Sequence, residues 1–93
     1  MSMDGMDKQY WQMRIFHDAL ARFNESLRSS VAELEAEHEK VSPYWQDQWR
    51  KDYDSIWGPF EETMKRYINS AGPNYVAFLE VKIRSIGRYL NGD

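Results

Sequence analysis

The stretch MDKQYWQMRIFHDALARFNESLRSSVAELEAEHEKV, residues 6–41, decides the fold. Within it Met6, Met13, Leu20, Leu27, Leu34 and Val41 recur every seven residues, and Phe16 and Phe23 fill the d-type positions between them. Apolar side chains in that pattern mark a coiled-coil-like helix burying one seam. At Ser30 and Glu37 the d position turns polar while Val31 and His38 stand one residue on. The apolar stripe therefore drifts sideways, as 3.6 residues per turn requires. No Gly or Pro interrupts the stretch. A helix over residues 6–41 spans about 54 Å, whereas a compact chain of this length has a radius of gyration of only about 12 Å. The molecule must be elongated.

Outward from this helix, Ser42-Pro43 is the next punctuation. Ser is a favoured helix cap and Pro a favoured first helical residue, so a second helix is predicted over about 43–71. Its apolar face runs Trp45, Trp49, Tyr53, Ile56, Phe60, Met64, Tyr67 and Ala71. Gly58-Pro59 falls in the middle, where the missing donor and the ring predict a kink rather than a stop, because the apolar phase carries through. Gly72-Pro73 predicts a stronger stop, with a third helix over about 73–90 carrying Val76, Leu79, Ile83, Ile86 and Leu90. The short Ser42-Pro43 junction sends the second helix back along the first. The expected fold is one all-α domain over residues 1–93. It is a long antiparallel helical hairpin, its returning arm kinked or broken near Gly58-Pro59 and Gly72-Pro73, completing a four-helix bundle as a dimer.

Composition narrows the function classes. The 93 residues carry a formal net charge of −3, with 42 % hydrophobic and 15 % aromatic side chains, four of them Trp. The densest basic pair, Arg50-Lys51, is too small a footprint for nucleic acid, whose phosphates demand clustered Lys and Arg. No apolar run reaches the roughly 18–20 residues of a membrane span. The first residues lack the cationic start and apolar stretch of a cleaved signal peptide, and there is no Cys for disulfide or thiolate chemistry. The expected localisation is cytoplasmic, with export by a route without a cleaved signal left open. No cofactor is expected. A two-helix hairpin covers one face of each helix, and the outer aromatics Trp11, Trp57, Phe78 and Tyr89 are the surface predicted to meet a protein partner, itself or a paralogous hairpin.

The bend residues Val41-Ser-Pro-Tyr-Trp45-Gln-Asp47, followed by Trp49 and Tyr53, resemble the WXG-type small secreted proteins of type VII secretion. That family consists of helical hairpins of about this length with a Trp-x-Gly bend, pairing as homo- or heterodimers. Trp45 matches the family Trp and Asp47 stands in place of its Gly, as in divergent Trp-x-Asp relatives. The resemblance implies a hairpin bend at Ser42, Pro43, Trp45 and Asp47, and secretion or a secretion-associated role. Tyr89 and Asp93 fit the Tyr-x-x-x-Asp/Glu export signal that family members carry near the C-terminus. Trp45 is predicted to plug the closed end against Leu34 and Val41, and Asp47 to be a first-turn acid at a helix N-terminus.

Candidate chemistry is sparse. Glu35 and His38 have the i, i+3 spacing of bridged di-iron bundles, but no second Glu-x-x-His accompanies them, so a solvated charged face is the expectation and no metal is assigned. His17-Asp18 reads as a surface or boundary pair. No nucleophile–base set or phosphate loop is present, and no catalytic residue is assigned. The expected function is a non-enzymatic helical interaction protein. The alternatives are a cytoplasmic adaptor subunit of a larger complex and, last, a metal-binding four-helix bundle.

Overall fold

A computed structural model of the chain describes the backbone of residues 2–92 and the side chains of residues 5–92. Helix α1 spans Ser2–Val41 without interruption, as its unbroken heptads and absence of Pro dictate. A 3₁₀ turn follows at Ser42–Tyr44, then α2 over Trp49–Arg66, a π-helical turn at Tyr67–Ala71, and α3 over Gly72–Leu90. No strand occurs among the described residues. The arms fold into an extended hairpin measuring 66 × 19 × 17 Å, with a radius of gyration of 20.2 Å. That far exceeds the roughly 12 Å of a compact chain.

Two features of the returning arm differ from expectation: the start of α2 and the junction at Gly72-Pro73. The second helix begins at Trp49, not at Pro43. Ser42-Pro43 nucleates only the 3₁₀ turn, and the capping position of that turn is Val41, which makes no side-chain cap. The cap comes from Asp47, whose Oδ1 accepts the Trp49 N–H at 3.0 Å while its carbonyl accepts the Arg50 N–H at 3.0 Å. At Gly58-Pro59 the helix continues without a stop, in line with the apolar phase that carries through it. Both residues are exposed, as is Ser55, whose carbonyl Pro59 leaves without its helical donor.

At Gly72-Pro73 the chain continues from α2 into α3 through the π turn rather than stopping. The extra residue is absorbed in the heptad phase. Arg50, Trp57 and Met64 turn inward at intervals of seven, and so do Gly72, Leu79 and Ile86, but Met64 and Gly72 are eight apart. A π turn accommodates one inserted residue and relieves the clash a Pro ring makes in a regular helix. The Gly72 N–H closes the turn on the Tyr67 carbonyl. Gly72 is itself buried, and a Cβ there would lie 3.1 Å from Asn24 and from Tyr67. A side chain here would have to displace Asn24 and Tyr67 by a few tenths of an ångström, so the close packing favours glycine at this point.

The buried core is thin. Among the described residues only Val31, Ile68, Leu79 and Ile86 are buried apolar side chains. Around them Met6, Met13, Leu20 and Leu27 from the predicted seam are half-buried, as are Tyr10, His17, Asn24 and His38 at the e-type positions. The inward face of α1 is thus an a/e stripe. The d-type Phe16 and Phe23 are exposed by 46 % and 54 %, and Leu34 and Val41 are exposed as well. The seam read from the heptads is only partly spent inside the hairpin. The reason is geometric: the helix stays close to 3.6 residues per turn, so a strict seven-residue stripe rotates away from its neighbour by about 20° per heptad.

Candidate functional site: a two-sided hairpin

Phe16, Phe23, Leu34 and Val41 are separated by 7, 11 and 7 residues, near-whole numbers of helical turns, and so occupy one flank of α1. On the returning arm Trp49, Ile56 and Phe60 share the corresponding flank of α2, and Tyr75, Phe78 and Tyr89 that of α3. The two flanks meet on the same side of the hairpin. Phe16 sets its ring edge-on to Tyr75, with centroids 5.9 Å apart, and Phe23 does the same to Tyr67 at 6.4 Å. Exposure along this face is high, reaching 65 % at Phe78 and 73 % at Ile56. The α1 positions Gln9, Gln12, Phe16, Ala19, Phe23, Ser26 and Ser30 follow each other at spacings of three and four and include no charge. A stripe of large rings alternating with small or amide side chains is what a packed helix interface requires.

The opposite side is charged. Lys65 pairs with Glu35 across the arms at 3.1 Å and with Glu61 at 3.7 Å. Its ammonium is held above its ordinary value by the hydrogen bond to Glu35. His17 reaches Asp18 through Nδ1 and Glu80 through Nε2, each at 3.0 Å, with Arg14 and Arg84 lining the same recess. Those hydrogen bonds, to Asp18 and then Glu80, raise the imidazole above its usual value, and the His17 contact lowers Asp18 below the usual carboxylate range. His17 is therefore a boundary residue that bridges α1 and α3. The spacing of His17-Asp18 gave no hint of Glu80, 63 residues away.

At the closed end, Trp45 joins Leu34, Val41, His38, Tyr53 and Trp57 around an apolar recess of about 250 Å³. Trp45 meets Tyr53 edge-on at 4.2 Å, and the His38 ring stacks on Trp57 at 4.3 Å and hydrogen-bonds the Tyr53 hydroxyl through Nδ1. Glu35 and His38 thus face different partners, Lys65 and Tyr53, instead of converging. Among the described residues no three His, Asp or Glu side chains gather as a metal site would need. The bend is locked by Arg50, a residue read from the sequence only as half of a small basic pair. Its Nη1 donates to the carbonyls of Ser42 (2.8 Å) and Trp45 (3.2 Å), and its Nε to Asp54 (3.0 Å).

Of the four aromatics expected on the outer surface, Trp11, Phe78 and Tyr89 are exposed. Trp57 is not: its ring is half-buried between the arms, stacked on His38. Trp11 sits apart from Phe78 and Tyr89, beside Tyr10, Gly87 and Leu90 at the open end, with Arg14 over its ring at 5.9 Å. Of the export-signal pair, Tyr89 projects from the last turns of α3, and Asp93 lies outside the described residues. No helix among the described residues is long and apolar enough to cross a membrane. Phe16 and Phe23 are the surface residues the heptad reading assigned to the wrong side, and the uncharged stripe from Gln9 to Ser30 is the signal that identifies them. Comparison with protein-family models, with curated proteins and with solved structures finds no match to this chain.

Proposed function

We propose that this chain is a non-enzymatic helical interaction protein whose apolar side seats a second helical hairpin, its own copy or a closely similar chain, to complete a four-helix bundle. The observation that carries the reading is the continuous apolar side from Trp49 and Ile56 through Phe23 and Phe16 to Phe78, set against a charged opposite side. Among the described residues, four buried apolar side chains are a meagre core. Burying each exposed ring contributes on the order of 1.5–3 kcal/mol, so covering half a dozen offsets the ordering cost of association. Replacing Phe16 and Phe23 together by Asp tests this: the assembly should fall to single chains while helicity is retained, because neither side chain belongs to the buried core. An assembly that survives the double substitution would place the interface elsewhere.

The resemblance of Trp45-Gln46-Asp47 to the WXG-type bend extends the proposal to a secreted or secretion-associated role in a type VII pathway. Support comes from Trp45 standing in the connection between α1 and α2 and from Tyr89 being exposed near the C-terminal end of α3. Export of a tagged chain by a type VII system should fall several-fold when Tyr89 or Asp93 is replaced by Ala. Undiminished export would remove the secretion reading and leave that of an intracellular adaptor.

A further inference from the structure

His17 stands where α1 and α3 pack, flanked by one carboxylate from each helix. Asp18 is its chain neighbour, and Glu80 comes from the opposite arm. Carboxylates only accept hydrogen bonds, and a neutral imidazole has a single N–H. Both contacts are satisfied at once only by the imidazolium, with both ring nitrogens donating. The other charged groups around the ring are Arg14 on α1 and Arg84 on α3. Arg14 directs its Nη1 to the Tyr10 hydroxyl at 3.2 Å, and its guanidinium also lies over the Tyr10 ring. Arg22, one turn beyond Asp18, adds a further cation that acts on Asp18. The carboxylates in direct contact with the ring outweigh these more distant cations, because Coulomb attraction and hydrogen bonding both favour the groups at 3.0 Å.

We propose that His17 is a pH-sensitive staple: protonated, it ties α1 to α3 through Glu80, and on losing its proton it releases one carboxylate and loosens the open half of the hairpin. When the ring is neutral, one carboxylate must face a nitrogen lone pair, and the interhelical contact competes with the local one to Asp18. The segment nearest this contact holds Val76, Leu79 and Ile83, where the arms' packing rests on few buried side chains. This holds whether or not a second hairpin covers the apolar side, because the staple lies on the charged one.

The sign follows from linkage. The folded-state value of His17 is raised, so the tie is fully made below about pH 6.5 and is lost as the pH rises through that higher value. An NMR titration of the His17 Cε1–H signal in the full chain should show a midpoint above about 6.5, and Glu80→Gln should move it downward. Amide exchange over residues 76–86, corrected for its intrinsic pH dependence, should lose protection several-fold between pH 6 and 8.5 in the native chain. In His17→Gln that pH-dependent loss should vanish. A midpoint at or below the ordinary value, a midpoint indifferent to Glu80→Gln, or equal pH-dependent loss in both chains would overturn the proposal. The titration of the native chain decides the matter even if His17→Gln fails to fold.

Discussion

Arg50 supplies what the bend lacks, namely a donor for the Trp45 carbonyl, and adds a second donor to the Ser42 carbonyl, which already accepts the Trp45 N–H. Its planar fork reaches Ser42 and Trp45 while Nε holds Asp54. An ammonium cannot span that set, so Arg50→Lys should rescue little. Arg50→Ala should lower the stability of the chain by about 1–2 kcal/mol, the range for charge-assisted bonds discounted for partial exposure. Urea denaturation of the three chains checks this, and full recovery by Lys would show that charge alone matters. His17 gives a second prediction at this scale. The contribution of Asp18 is present above about pH 4 and lost as the pH falls through its depressed value, and that of His17 is present below about pH 6.5. The difference in urea midpoint between native and His17→Gln chains should therefore be largest near pH 5–6 and shrink by pH 8.5. A constant difference would contradict it.

At the scale of elements, α1 was legible almost entirely, since a stretch with regular heptads and no breaker has no competing conformation. The bend at Ser42-Pro43 was legible too. The start of α2 was not, because both Ser42 and Asp47 can cap a helix, and only the Asp47 carboxylate closes on the backbone N–H two residues on. The π turn was written in the eight-residue step from Met64 to Gly72, yet Gly-Pro read locally as a stop. What favours continuity is tertiary: buried Gly72 leaves little room for a side chain beside Asn24, and the Tyr67 hydroxyl donates to Asn24 Oδ1 at 2.7 Å. The flank of Phe16 and Phe23 was misassigned because a heptad seam presupposes supercoiling, which this helix does not sustain. A sharp test of the phase argument is to delete Ser70 together with Pro73→Ala. That change restores the seven-residue step and a regular helix, and should leave the hairpin within about 1 kcal/mol of native, the size of a single helix-interior effect. Deleting Ser85 turns Ile86 and Leu90 away from α1 and should cost about 2 kcal/mol or more. The reverse order of urea midpoints would refute the phase assignment.

At the scale of the whole molecule, the hairpin is a slab 66 Å long with one apolar side and one charged side. Such a slab resembles half of a four-helix bundle, and its thin core favours the proposed pairing. The flank that flat sequence patterning placed inside the molecule is the surface through which we propose the hairpin pairs. Trp11 and the charged side should be indifferent to that pairing, so Trp11→Ala should leave the assembly's mass unchanged in light scattering. The central claim is tested most directly by sedimentation equilibrium of the full chain over a concentration series up to hundreds of micromolar. Pairing through the apolar side predicts twice the 11.1 kDa chain mass, falling to the single-chain value in Phe16→Asp/Phe23→Asp. A native chain that remains at 11.1 kDa across the whole series would contradict it.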